Sequence, residues 1–157
     1  MIQAAVITVS DRASAGEYED RSGPAVRKLL EDTGYEVVSY RVIPDEKNRI
    51  IDELIRCCDA LIPLVLTVGG TGFAPRDVTP EATAAVIERE APGIAEYMRM
   101  CSMKITPRGM LSRGITGIKR QSVILNLPGS VKASTENLSF VLPHLDHGIE
   151  MLLGMKE

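Results

Sequence analysis

Along this chain, short runs apolar on both faces alternate with stretches whose apolar residues recur at helical spacing. "AAVITVS" (residues 4–10) is a β-branched run of the kind buried on both faces of a sheet, and predicts a strand. A polar, glycine-bearing stretch follows. "AVRKLLEDTG" (25–34) then places Val26, Leu29, Leu30 and Thr33 at helical spacing, with Gly34 as a stop. "EVVSYRVI" (36–43) predicts a second strand. In "PDEKNRIIDELIRCC" (44–58), Ile51, Leu54, Ile55 and Cys58 share one helical face, and Asp45 is placed to cap it. "LVLTVGG" (64–70) predicts a third, central strand. "TPEATAAVIERE" (79–90) predicts a helix with Thr79 at its cap and Pro80 in its first turn. "PGIAEYMRMCSMKIT" (92–106) is a further amphipathic helix, in which Met98, Met100 and Met103 read as core filling. "SVILNLPG" (122–129) predicts a fourth buried strand. The tail (130–154) reads as helical, broken at Pro143. Residues 105–121 are the least periodic and read as a loop or short hairpin.

This rhythm predicts an α/β protein: a three-layer α/β/α sandwich with a mainly parallel sheet, formed as a single domain over residues 1–157. In open parallel sheets ligands bind beyond the carboxyl ends of the strands. Four polar loops follow strands here, "SDRASAG", "PDE", "GGTGFAPRD" and "LPGS", and all four are expected to open on one edge.

Composition narrows the function. A net charge of −3 argues against a general nucleic-acid grip, which needs a basic surface. With no Trp, the core must be built from Val, Ile, Leu, Met and Ala. Cys57, Cys58 and Cys101 lack C-x-x-C spacing and are odd in number, so reduced thiols are expected rather than a zinc or disulfide framework. The first apolar run is too short to span a membrane and lacks a basic lead, so a cytoplasmic protein with no membrane association is expected.

Gly69, Gly70 and Gly72 in "GGTG" let backbone N–H groups approach an anion; the same residues also suit a plain strand-to-helix turn. Arg76 offers a bidentate donor for phosphate. Asp77 can cap the next helix, pair with Arg76, or hold a metal. Asp45 can cap its own helix or act with Asp77. Two carboxylates at adjacent strand ends form a seat for Mg2+, which takes one or two carboxylates and fills its shell with water and phosphate oxygens. Gly129 and Ser130 in "LPGS" make a second glycine turn into a helix, suited to an anion or to ordinary capping. His144 and His147 fall late in the chain and read as a solvated helix face. Without a histidine base in the loops, Ser-His or Cys-His catalysis is disfavoured, and a nucleophile already ionised at neutral pH, such as a phosphate, suits the site better.

Five blocks, "TVSDRASAGEYEDRSGP", "IPDE", "GGTGFAPRDVTPEAT", "KITPRGMLSRG" and "ILNLPGS", resemble in order those of the molybdopterin adenylyltransferases, the G-domain type enzymes of molybdenum-cofactor biosynthesis. The resemblance covers nearly the whole chain. It implies Mg2+ and ATP, transfer of AMP to the phosphate of molybdopterin with release of pyrophosphate, hand-over to a downstream molybdenum insertase, and a homotrimer. It implies metal and catalytic roles for Asp45 and Asp77, pterin-side roles for Thr71, Ser102 and Ser112, and a nucleotide side at Ser10, Asp11 and Gly129. "LPGS-VKA" departs from the LPG-asparagine-proline form of the two-domain members. A sister family shares these loops, which leaves a non-catalytic molybdopterin-binding or delivery protein as the alternative. A phosphohydrolase acting on related nucleotides is a third reading.

Overall fold

The computed structural model describes residues 1–155. Six strands form one sheet: β1 (Ile2–Val9), β2 (Tyr35–Ile43), β3 (Leu64–Val68), β4 (Arg89–Glu90), β5 (Thr116–Lys119) and β6 (Ser122–Leu127). Their spatial order is β2-β1-β3-β6-β5-β4. The first four in that order run parallel, and β5 and β4 complete the sheet antiparallel. Helices α1 (Asp11–Ser14), α2 (Ser22–Asp32), α3 (Lys47–Asp59), α4 (Thr79–Val86), α5 (Pro92–Ile105) and α6 (Val131–Leu152) fill the connections, with a 3-10 turn at Pro107–Leu111.

The two-residue period of the strands sorts the core into two layers. Ala4, Val6, Leu64, Leu66, Leu125 and Leu127 face one side and pack on Val26 and Leu30 of α2, Met98 of α5, and Leu138, Leu142 and Ile149 of α6. Ala5, Ile7, Val65 and Ile124 face the other side, against Ile50, Leu54, Cys57 and Cys58 of α3 and Ala82 and Val86 of α4. The expected α/β/α sandwich is therefore present. Because β1, β2, β3 and β6 are parallel, their carboxyl ends share one edge.

Several local expectations give way to tertiary contacts. The tail is one helix of 22 residues through Pro143. Residues on both sides of the proline bury against the same core, and Pro143 and Ser139 are exposed, so water can take the carbonyl that the proline leaves without a donor. Helix α4 stops at Val86, because Arg89–Glu90 joins the sheet as β4. The aperiodic region supplies the 3-10 turn and β5, which forms a hairpin with β6. Helix α3 seats Ile50, Leu54, Cys57 and Cys58 rather than the Ile51–Ile55 stripe. It also buries Glu53, whose charge is met by Arg56 at 2.6 Å. Met98 is core, whereas Met100 and Met103 are exposed on the outer side of α5.

Candidate functional site

Gly69 and Gly70 end β3 with φ of +106° and +70°, in the left-handed region. A Cβ on Gly69 would lie 2.4 Å from the carbonyl oxygen of Val9, and Gly129 faces it so closely that a Cβ there would lie 3.4 Å from the Gly69 Cα. The ends of β1, β3 and β6 thus meet as bare backbone. Gly69→Ala is expected to cost about 3 kcal/mol through backbone strain and this clash, and to lower Tm by roughly 6–12 °C in a thermal melt.

Asp45 and Asp77 stand over this floor. The two glycines beside them make room: a Cβ on Gly70 would come 3.1 Å from Asp45 Oδ1, and one on Gly72 would come 2.9 Å from Asp77 Oδ2. Asp45 does not cap α3. The flanking cap is Glu46, with no side-chain cap bond, because Asp45 Oδ2 instead accepts the Asp11 N–H at 2.9 Å. Asp77 Oδ2 accepts the Ala74 N–H at 3.0 Å, which folds the loop back on itself. Thr79 does not cap α4 either: its hydroxyl donates to Gly69 O at 3.0 Å and ties the helix to the glycine turn.

Burial pushes the Asp45 carboxyl above its usual range; the bond from the Asp11 N–H opposes this, and the charges of Asp11 and Asp77 add smaller upward pushes against a slight lowering by Arg76. A cation at the Asp45 carboxylate would relieve that cost. Asp45 and Asp77 each have one oxygen held by a backbone N–H, while the Oδ1 of each takes no hydrogen bond among the described residues. No group of three His, Cys, Asp or Glu gathers there, so among the described residues there is no all-protein metal cage. A hard-oxygen pair with open coordination suits Mg2+.

Two cavities share this edge with a third, about 700 Å3, which Asp45, Glu46, Lys47 and Arg76 help to line. The first, about 580 Å3, is lined by Ser10, Tyr18, Asp20, Asp45, Gly69 and Gly129, among others. The second, about 420 Å3, is lined by Thr71, Gly72, Ser102, Ser112, Arg99 and Arg108, among others. Gly70, Asp77 and Gly129 line both. Asp77 thus sits on the boundary between the first two compartments, and Asp45 lines the first and the third.

The remaining expected site residues divide. Ser10 lines the first cavity, where its Oγ accepts the Ala13 N–H and pairs with the Tyr18 hydroxyl at 2.9 Å. Thr71, Ser102 and Ser112 gather around the second cavity. Ser130 lines neither: its Oγ accepts the Ala133 N–H and caps α6. Arg76 is paired with Asp11, with Nε to Oδ2 at 2.7 Å and Nη2 to Oδ1 at 2.9 Å, while its exposed guanidinium borders the third cavity with Asp45 and Lys47. Asp11 is accordingly an ion-pair partner and lies outside both cavity walls, its carboxyl held below the usual range by that bond.

Sequence reasoning missed several residues. Arg113 grips the glycine loop, donating to Gly72 O at 2.8 Å, Asp77 O at 2.7 Å and Glu81 at 2.7 Å. Asp20 takes the hydroxyl of Thr8 at 2.7 Å, the hydroxyl of Tyr40 and the Gly23 N–H, and so fixes the wall of the first cavity. Arg99 and Arg108 bring positive charge to the second. Arg108 and Arg113 lie within the "KITPRGMLSRG" block, which was the available signal. His144 and His147 are exposed and border a separate apolar cleft between α5 and α6.

A mainly parallel sheet covered on both faces, with Asp45 and Asp77 at the cavities along its carboxyl edge, defines an α/β protein whose candidate site lies beyond the strand ends. A family profile described as "Probable molybdopterin binding domain" matches residues 5–147, and the chain belongs to that family. The molybdopterin adenylyltransferase of Helicobacter pylori strain J99 is 42% identical over 156 residues, covering 98% of this chain and 89% of that protein. That of Escherichia coli K12 is 45% identical over 140 residues, covering 87% of this chain and 71% of that protein. The crystal structure of the molybdopterin biosynthesis enzyme MoaB from Thermus thermophilus superposes with a TM-score of 0.93 at 43% identity, covering 98% of each chain.

Proposed function

We propose that this protein is a molybdopterin adenylyltransferase, which transfers AMP from ATP to the phosphate of molybdopterin and releases pyrophosphate. The observation that carries the reading is the placement of Asp77 on the boundary of two cavities, with Asp45 beside it in the first. ATP occupies the cavity bordered by Ser10 and Gly129. The pterin occupies the cavity bordered by Thr71, Ser102 and Ser112, where Arg99 and Arg108 favour an anionic group.

A phosphate oxygen of the pterin attacks the α-phosphorus of ATP. The new P–O bond forms as the bond to the β-phosphate oxygen breaks, and pyrophosphate carries away the electron pair. The nucleophile is already ionised, so the loops need no general base. What they must supply is alignment and charge compensation. Asp45 and Asp77 would hold Mg2+, which when bound offsets the negative charge on the phosphates. Arg113 keeps Asp77 in place through its backbone, and Asp20 keeps the first cavity open.

We extend the reading to a cytoplasmic homotrimer that passes its product to a molybdenum or tungsten insertase. The apolar cleft lined by Ile94, Tyr97, Val141 and Leu145 supports self-association. The test is to mix protein, ATP, Mg2+ and molybdopterin and to measure pyrophosphate and the adenylylated pterin. Both are expected in equal amounts and only with the pterin present. A delivery protein would release neither, and a phosphohydrolase would consume ATP without the pterin.

A further inference from the structure

Asp11 and Asp45 exchange hydrogen bonds in both directions. The Asp11 N–H donates to Asp45 Oδ2 at 2.9 Å, and the Asp45 N–H donates to Asp11 Oδ1 at 2.9 Å. This pair joins the loop after β1 to the loop after β2. The Asp11 carboxylate also receives the fork of Arg76, from the loop after β3. Arg76 directly precedes Asp77. One side chain therefore tethers the backbones that carry both candidate metal ligands: Asp45 through its own N–H, and Asp77 through its neighbour.

We propose that Asp11, locked by Arg76, is a positioning residue that sets the separation of Asp45 and Asp77. The inference rests on the roles given to those two acids above. Asp11 lines none of the cavities at this edge, and Arg76 borders only the open one it shares with Asp45 and Lys47, where its Nε and Nη2 are already committed to Asp11. Fold stability does not account for the pair. The two side chains are 40% and 59% exposed, and an ion pair that open contributes little to stability in water. What the geometry does supply is a link among three loop ends. Arg113 and Thr79 hold the Asp77 loop to the glycine turn, but only the Asp11–Arg76 pair links it to the loop of Asp45 among the side-chain bonds of the described residues, and small displacements at a reacting centre are costly.

The test uses Asp11→Ala, Arg76→Ala, the double variant and Asp11→Asn, which keeps an acceptor for the Asp45 N–H. Binding of Mn2+ with ATP, followed by the paramagnetic resonance of the ion, reads the metal site without turnover. Hydrogen exchange reads the loops at residues 44–46 and 70–77. Each alanine variant is expected to weaken Mn2+–ATP binding by about tenfold and to speed exchange in both loops. The double variant is expected to be no worse than either single, because the two residues act as one unit. Asp11→Asn, whose oxygen can still accept the Asp45 N–H but whose NH2 opposes Arg76 Nε, is expected to protect residues 44–46 while exchange at 70–77 quickens, with Tm within about 3 °C of wild type throughout. Additive losses, or wild-type metal binding and exchange in either alanine variant, overturn the proposal. Wild-type protein that takes up no Mn2+ counts against the adenylyltransferase reading instead, while the exchange comparison still decides the tether.

Discussion

Asp77→Asn is expected to reduce pyrophosphate release on the order of a thousandfold while leaving the protein folded. The substitution isolates charge from architecture. An asparagine oxygen can still accept the Ala74 N–H that shapes the loop, and the Arg113 bond to Asp77 O comes from the backbone. What is lost is one of two negative groups facing the junction of the cavities. Removing one element of a preorganised electrostatic site commonly costs two to three orders of magnitude, about 3–4 kcal/mol. Steady-state pyrophosphate release together with a thermal melt checks it. A variant with unchanged Tm and undiminished release would remove Asp77 from the chemistry.

Asp45→Asn is expected to act in two directions: turnover falls on the order of a hundredfold or more, and the metal-free protein becomes more stable. Burial and the neighbouring charges of Asp11 and Asp77 raise the Asp45 carboxyl above its ordinary range in the folded state. A folded-state value above the unfolded one means that the native protein binds this proton more tightly. The group's contribution to stability is then greatest below the ordinary carboxylate range and is lost as pH rises through the folded value. At neutral pH the wild type carries the cost of the buried charge, which an amide escapes at the expense of a weaker bond from the Asp11 N–H. Asp45 is only partly shielded from solvent, so the expected gain in Tm is small. The difference should shrink as pH falls through the raised range of the wild-type carboxyl. Melts of both proteins from neutral to acid pH decide the matter, and a variant less stable at neutral pH would contradict the cost of burying this charge.

The parts of this molecule that could be read from the chain are those with local causes. The double-faced apolar runs of β1, β3 and β6 and the glycine turn after β3 follow from short-range pattern, and with them the sheet and the edge that carries the loops. Asp45 and Asp77 were legible because each follows a strand in a parallel sheet. Features with distant causes were not. The commitment of Arg76 to Asp11 joins positions 65 residues apart, and no spacing rule distinguishes a guanidinium aimed at phosphate from one already paired. Pro143 reads as a break until the packing on both sides of it is known. Met100 and Met103 lie on the opposite side of α5 from Met98, about 200° and 140° round the helix, so residue type alone misled where spacing would have separated them. Strand β4, two residues long, has too little sequence to announce itself.

The meeting of Gly69 and Gly129 beneath the acids constrains how such a site can diversify. A base of naked main chain offers no side chain to exchange, and at Gly69 there is no room to add one. Selectivity for the nucleobase or the pterin must then reside in the walls, at positions such as Tyr18, Asp20, Ser102 and Arg108. Engineering toward a new acceptor should begin there, since redesign from below would dismantle the sheet's edge before it altered preference.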